Sequence, residues 1–191
     1  MTLAADPRER VDDGTMLRLL AAEGPHPDYA DKLALFGQFV GSWDLDVFAY
    51  PPDGGRREQS GEWHFGWVLD GRTVQDVLIV RSRDAADGGG PSGGSKVSKG
   101  STVRTYDPEM DAWWIVWQCP PDGEFGTLFA RPDGDRIVLE GQWALPSYSG
   151  RRFRWSFNEI TPTSFHWMGH SSSDGGETWQ LREEMFARRR T

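Results

Sequence analysis

The sequence predicts an all-β protein, a closed up-and-down antiparallel barrel of about ten strands with an N-terminal helix in front. Three observations carry this. Beyond residue 41 of 191, apolar and polar residues alternate with period two in run after run, the mark of half-buried strands. Short Pro/Gly/Asp clusters separate the runs, drawn from 23 glycines and 12 prolines, and supply tight turns. Ten Trp and ten Phe coexist with a mean hydropathy of −0.60, so the rings belong to one face of each strand. An open meander this aromatic would aggregate along its edges, and closure removes them.

The elements follow in order. Residues 1–27 read as an N-terminal arm in which Met16 to Ala22 has helical character, stopped by Gly24-Pro25. The barrel domain is expected over 28–191. From Asp28, the residues Tyr29, Leu33, Phe36 and Val40 form one apolar helical stripe, with Gly41 suited to the C-cap. Such a helix plugs a barrel end or packs on its wall. Strand one starts at Ser42 and sets Trp43, Leu45 and Val47 against Asp44 and Asp46. Strand two, 61–68, carries Trp63, Phe65 and Trp67 on one face. Leu69-Asp70-Gly71-Arg72 turns the chain into strand three, 73–81, whose two faces are both partly apolar, which predicts cover on both sides. Residues 84–101, rich in Gly and Ser and without aromatics, have the composition of a flexible loop. Strands follow at 102–106, 112–119, 126–131 and 136–143. The chain closes on three aromatic runs, in which Phe153, Trp155 and Phe157, then Phe165 and Trp167, then Leu181, Glu183 and Met185 hold alternate positions. Asp174-Gly175-Gly176 forms the last hairpin, since its glycines allow positive φ. Arg188 to Arg190 read as a solvated basic tail.

A formal charge of −8 argues against nucleic acid or an anionic membrane as partner. One cysteine, Cys119, forbids an internal disulfide and fits a reducing cytoplasmic setting. No apolar run approaches a membrane span, and no signal peptide is visible at the N-terminus. A small-molecule ligand and a monomeric or homodimeric state are expected.

Val40-Gly41-Ser42-Trp43, Leu69-Asp70-Gly71-Arg72 and Tyr106-Asp107-Pro108 resemble motifs of the DUF1579 family, a lipocalin-like (calycin) group found largely in bacteria. The most specific match is Ser164-Phe165-His166-Trp167 followed by Asp174-Gly175-Gly176-Glu177-Thr178-Trp179, and the similarity covers roughly 33–190. The resemblance implies a closed antiparallel barrel and no particular activity. Related calycins bind retinoids, fatty acids, bilins or haem. Nitrobindin-type haem barrels open on Gly-x-Trp-x-Gly-x-Gly. This chain reads Gly41-Ser42-Trp43-Asp44-Leu45-Asp46, without the later glycines, so no cofactor is expected and haem is the disfavoured alternative.

Ten strands enclose room for one small ligand. The residues expected to line that space are Trp63, Trp67, Trp117, Trp155 and Trp167, with polar groups from Arg104, Tyr106, Gln118, Gln142, Glu183, His166 and His170. His166 and His170 are four apart, which on a strand is about 13 Å, too far for one shared metal; no metal site is expected. Asp44 and Asp46, on one strand face, read as outward charges, and Cys119 as a buried structural thiol. The leading expectation is binding of a small hydrophobic or aromatic molecule. The alternatives are an isomerase, cyclase or hydrolase using a cavity His or carboxylate, and a structural or interaction domain with a filled core.

Overall fold

The computed structural model describes residues 14–82, 97–143 and 151–191. A short helix α1 (Thr15–Leu20), a 3-10 turn (Pro27–Tyr29) and helix α2 (Ala30–Gly37) precede ten strands. These are β1 (Gly41–Ala49), β2 (Arg57–Val68), β3 (Thr73–Ser82), β4 (Val97–Asp107), β5 (Ala112–Cys119), β6 (Glu124–Asp133), β7 (Arg136–Trp143), β8 (Arg152–Asn158), β9 (Ser164–Ser172) and β10 (Gln180–Arg189). Each pairs antiparallel with the next, and β10 closes on β1 from Trp43 opposite Arg189 to Ala49 opposite Glu183. The result is a closed ten-stranded barrel.

Alternation decides which side chains enter it. Trp43, Leu45 and Val47 of β1, Trp63 and Phe65 of β2, Val74 and Leu78 of β3, and Trp113, Ile115 and Trp117 of β5 are all buried. Their strand neighbours Asp44, Val77, Trp114 and Val116 face out. Strand β3 is therefore covered on its inner face only. α2 lays Leu33 and Phe36 into one end of the barrel, and Phe39 follows. Phe36 meets Trp113 edge-on at 4.8 Å, and Phe39 packs on Phe157 and Phe165 at 4.7 and 5.0 Å. This plug fills its end with rings.

Several boundaries differ from the sequence reading, each for a physical reason. The helix begins as a 3-10 turn, where the His26 ring nitrogen accepts the Asp28 N–H. Gly41 is not a helix cap; it opens β1 with φ +126°, and the Arg189 guanidinium lies where a Cβ would project, so both backbone and space require glycine. β4 starts at Val97, and Lys99 pairs with Ile79. The 97–101 part of the expected loop is therefore strand, and the rest lies outside the described residues. β10 starts at Gln180 and carries a bulge between Leu181 and Glu183. Trp179 consequently stands outside the barrel, with the Arg154 guanidinium 4.1 Å from its ring centre.

The C-terminal arginines are tied down. Arg188 pairs with Asp46 and Arg190 with Asp44, both at 2.6 Å, across the outer face. Arg189 stacks on Trp43 at 4.1 Å and donates to the carbonyls of Val40, Gln38 and Pro162 at 2.7–2.8 Å. Trp43 donates its indole N–H to the Phe39 carbonyl at 2.7 Å. One cation thus seals the plugged end to the closing strand. The arm is held as well, since Ala21 bridges Val68 and the His26 N–H donates to the Gly71 carbonyl at 3.0 Å. No helix among the described residues is long and apolar enough to cross a membrane.

Candidate ligand-binding cavity

The rings do not fill the whole barrel. At the end opposite α2 lie two adjoining chambers. The outer one, about 430 Å³, is bounded by Arg57, Leu78, Ser98, Trp117, Cys119, Asp122, Glu124 and Glu183 among others. The inner one, about 170 Å³, is walled by Trp63, Trp117, Trp143, Phe153, Trp155 and Trp167. Leu78, Trp117, Glu124 and Glu183 border both. Trp155 and Trp167 lie 5.6 Å apart, Trp117 and Trp155 5.7 Å, and Trp63 and Trp167 6.2 Å. The inner chamber is thus set in a continuous aromatic column that runs back to the plug.

Inward glycines make the rings fit. A Cβ on Gly100 would sit 2.1 Å from the Trp117 ring, and one on Gly169 2.7 Å from the Trp167 ring. Small residues beside large ones let a tapering barrel interior pack. Gly169 also stands opposite Glu183 across β9 and β10, so no side chain from that position crowds the carboxyl.

Glu183 is the unusual group. Alternation with the buried Met185 and Ala187 sets it inward, just past the bulge, between Ala49 of β1 and Gly169 of β9. Burial, with a smaller push from Glu124 and Asp122, raises its carboxyl from 4.5 to about 7. Among the described residues nothing donates a hydrogen bond to it. Its acidic neighbours are engaged: Glu124 accepts the Trp117 indole N–H at 2.9 Å, and Asp122 accepts the Cys119 thiol at 3.2 Å and the Ser98 hydroxyl. Burial pushes the Cys119 thiol up, so it is a poor nucleophile. Trp63 Nε1, Trp167 Nε1 and Thr102 Oγ1, on residues bordering the inner chamber, are buried without a partner.

Of the residues expected from sequence, Trp63, Trp117, Trp155, Trp167 and His170 come together at the inner chamber, and Glu183 joins them. His170 does so beside the bulge; burial, then Arg154, lowers its pKa, and its Nδ1 has no partner. The others go elsewhere. Trp67 lies against Gly37 of the plug. Arg104 is fully buried and pairs with Asp76, between the rings of Phe36 and Phe65 at 5.3 Å each. Tyr106 donates to Asp111 at 2.7 Å and leans on Tyr29, at the plugged end. A hollow there is edged by Lys32 and Asp111, whose polar groups satisfy one another at 2.7 Å. Gln142 and Gln118 are exposed on the outer face. His166 is also outward, 2.9 Å from Glu184 and stacked on Phe186 at 4.2 Å. Among the described residues no group of three or more His, Cys, Asp or Glu is placed to hold a metal.

This arrangement is a lipocalin-like barrel, plugged at one end and chambered at the other. The solved structures that share the fold include two with TM-scores above 0.5. Rv2717c from M. tuberculosis aligns with a TM-score of 0.62 at 15% identity, covering 87% of this chain and 99% of that one. The S-type phycobiliprotein lyase CPES from Guillardia theta aligns with a TM-score of 0.55 at 13% identity, covering 82% and 91%. At such identities the likeness is one of fold alone. No protein-family model matches the chain, and no curated protein matches it in sequence.

Proposed function

We propose that this protein binds one small, largely apolar molecule, with its ring system in the tryptophan-walled chamber and its polar end toward Glu183. The observation that supports this most is the pair of adjoining chambers, of a size that suits small-molecule sites. A filled-core domain of ten strands would have no reason to keep an unpaired carboxyl beside a tryptophan-walled chamber. The Gly41–Trp43 opening and the Asp174–Trp179 hairpin support DUF1579-type kinship, and the single cysteine supports a reducing, cytoplasmic setting. The reading needs no haem. The competing reading, an enzyme on the same barrel, has Glu183 as its candidate acid–base group.

The test is titration with a neutral fluorescent apolar probe, N-phenyl-1-naphthylamine, together with native mass spectrometry of protein purified without added ligand. One probe per chain should bind, with energy transfer from tryptophan. Trp167→Ala should alter that binding by more than it alters the fold. Binding must be read where the variant is still folded, since losing a buried Trp costs about 3–5 kcal/mol. A released ligand with changed mass would favour the enzyme, and a coloured adduct would mean haem or bilin. No binding at high micromolar probe would leave the filled-core reading in its place.

A further inference from the structure

We infer that the ligand is a lipophilic cation, an amine carried on a ring system, held with its positive charge against Glu183 and its rings among Trp117, Trp155 and Trp167. This rests on the cavity reading and narrows it by charge.

Three carboxyl groups, Asp122, Glu124 and Glu183, border the chambers. Asp122 and Glu124 have donors of their own from Cys119, Ser98 and Trp117. Glu183 has none. Two cations also border the chambers: Arg57 stands 4.0 Å from Asp53, and Arg182 donates to the neutral Ser171 at 2.8 Å and to Gln180. Carboxyl groups still outnumber them three to two, and the one that lacks a donor is Glu183, so an anionic ligand is the least favoured. A neutral one would leave Glu183 either ionised and unpaired or obliged to take up a proton. An ammonium group ion-pairs with it directly, and the negative faces of the surrounding indoles add cation–π attraction in a partly desolvated site. A second, independent observation points to a ligand. The walls of the inner chamber carry buried polar atoms with no protein partner, on Trp63, Trp167 and Thr102. The indole N–H groups fit a hydrogen-bond acceptor at the far end of the same molecule.

The pH dependence follows from geometry and sign together. The titratable and charged groups that border the chambers are Asp122, Glu124, Cys119, Arg57, Arg182 and His170. Only Glu183 is pushed to about 7, so raising the pH through neutrality charges it and strengthens its hold on an ammonium group.

The experiment compares three isosteric probes, 1-naphthalenemethylamine, 1-naphthalenemethanol and 1-naphthoate, by tryptophan fluorescence in the wild type and in Glu183→Gln. At about pH 8 the amine should bind at least about tenfold more tightly than the alcohol, a modest ion-pair contribution, and the naphthoate most weakly. Glu183→Gln should erase the amine's advantage over the alcohol, so that the two bind within about twofold of each other. The amine's affinity should rise with pH in the wild type and stay flat in the variant. Equal binding of amine and alcohol overturns the inference, as does an advantage that survives in Glu183→Gln. So does tighter amine binding at low pH, which an ion pair with Glu183 could not produce, since protonation removes the carboxylate. In each of those cases binding of neutral N-phenyl-1-naphthylamine would leave the cavity itself standing. If no probe binds at all, both readings fall.

Discussion

Replacing Glu183 with Gln should stabilise the protein above neutral pH and have little effect near pH 4.5. The sign follows from linkage. The folded state holds the Glu183 proton up to about 7, whereas an unfolded chain releases it near 4.5. Between those values the folded state binds more protons than the unfolded one, so stability falls as the pH climbs through the window and levels off above it. Moving one carboxyl from 4.5 to about 7 corresponds to at most roughly 3 kcal/mol. Glu183 is only half-buried and borders the outer chamber, so solvent screening brings the working figure to a loss of about 1–3 kcal/mol. Gln, of the same shape, carries no charge to desolvate and avoids the loss. Urea midpoints of wild type and variant, measured from about pH 4.5 to 8.5, should coincide at the acid end and diverge with the variant ahead at the alkaline end. Parallel curves would show that Glu183 ionises normally. A variant weaker at high pH would show that the carboxylate has a partner in the folded chain.

Three further outcomes are expected. Gly175→Val should lower the urea midpoint by the equivalent of about 1–3 kcal/mol, because Gly175 sits at φ +78° and a β-branched residue is strained there; an unchanged midpoint would clear the turn of any such demand. Arg104→Met should cost about 3–5 kcal/mol in the same assay by leaving Asp76 buried without its cation, and adding Asp76→Leu should recover much of that; a double variant no better than the single one would contradict the pairing. Arg189→Ala should cost about 2 kcal/mol through lost stacking on Trp43 and freed carbonyls at the plug, with Arg189→Lys restoring only part because a point charge cannot span them; full rescue by Lys would mean that charge alone matters there.

Much of the barrel could be read from residue parity. Alternation sends Trp155 and Trp167 inward beside Arg154 and His166, and it sets Asp44 and Asp46 outside, where they meet Arg190 and Arg188. Parity also puts Gln142 on the outer face with Glu140, so its selection as a cavity group set polarity above position. What alternation does not carry is pairing across strands. Arg104 and Asp76 both face inward, but only the β3–β4 register makes them partners, and that removes Arg104 from any ligand. The bulge at Arg182 has no mark in the sequence, because it depends on how β10 docks on β9; without it Trp179 and Leu181 appear to continue the inner face. Composition misled at 97–101, where Gly100 is strand because the Trp117 ring needs its space. Inward-parity glycines facing tryptophans are the signal that would have located the cavity.

The two ends of the barrel pull against each other energetically, and this bears on function. At the plugged end Arg189 over Trp43, Phe36 on Trp113 and Phe39 between Phe157 and Phe165 remove apolar surface and orphan carbonyls from water. At the other end the chain keeps an aromatic-walled chamber, four buried polar atoms without a protein partner and a carboxyl pushed up to about 7. An apolar residue at Glu183 would remove the lone carboxyl and raise stability above neutral pH, whereas Gly169 admits nothing larger, because a Cβ there would meet the Trp167 ring at 2.7 Å. Residues that weaken a fold persist where a site needs them. The same Glu183 that should destabilise the protein alone above pH 7 should then stabilise it when a cation is bound, because the ligand supplies the partner that the chain withholds.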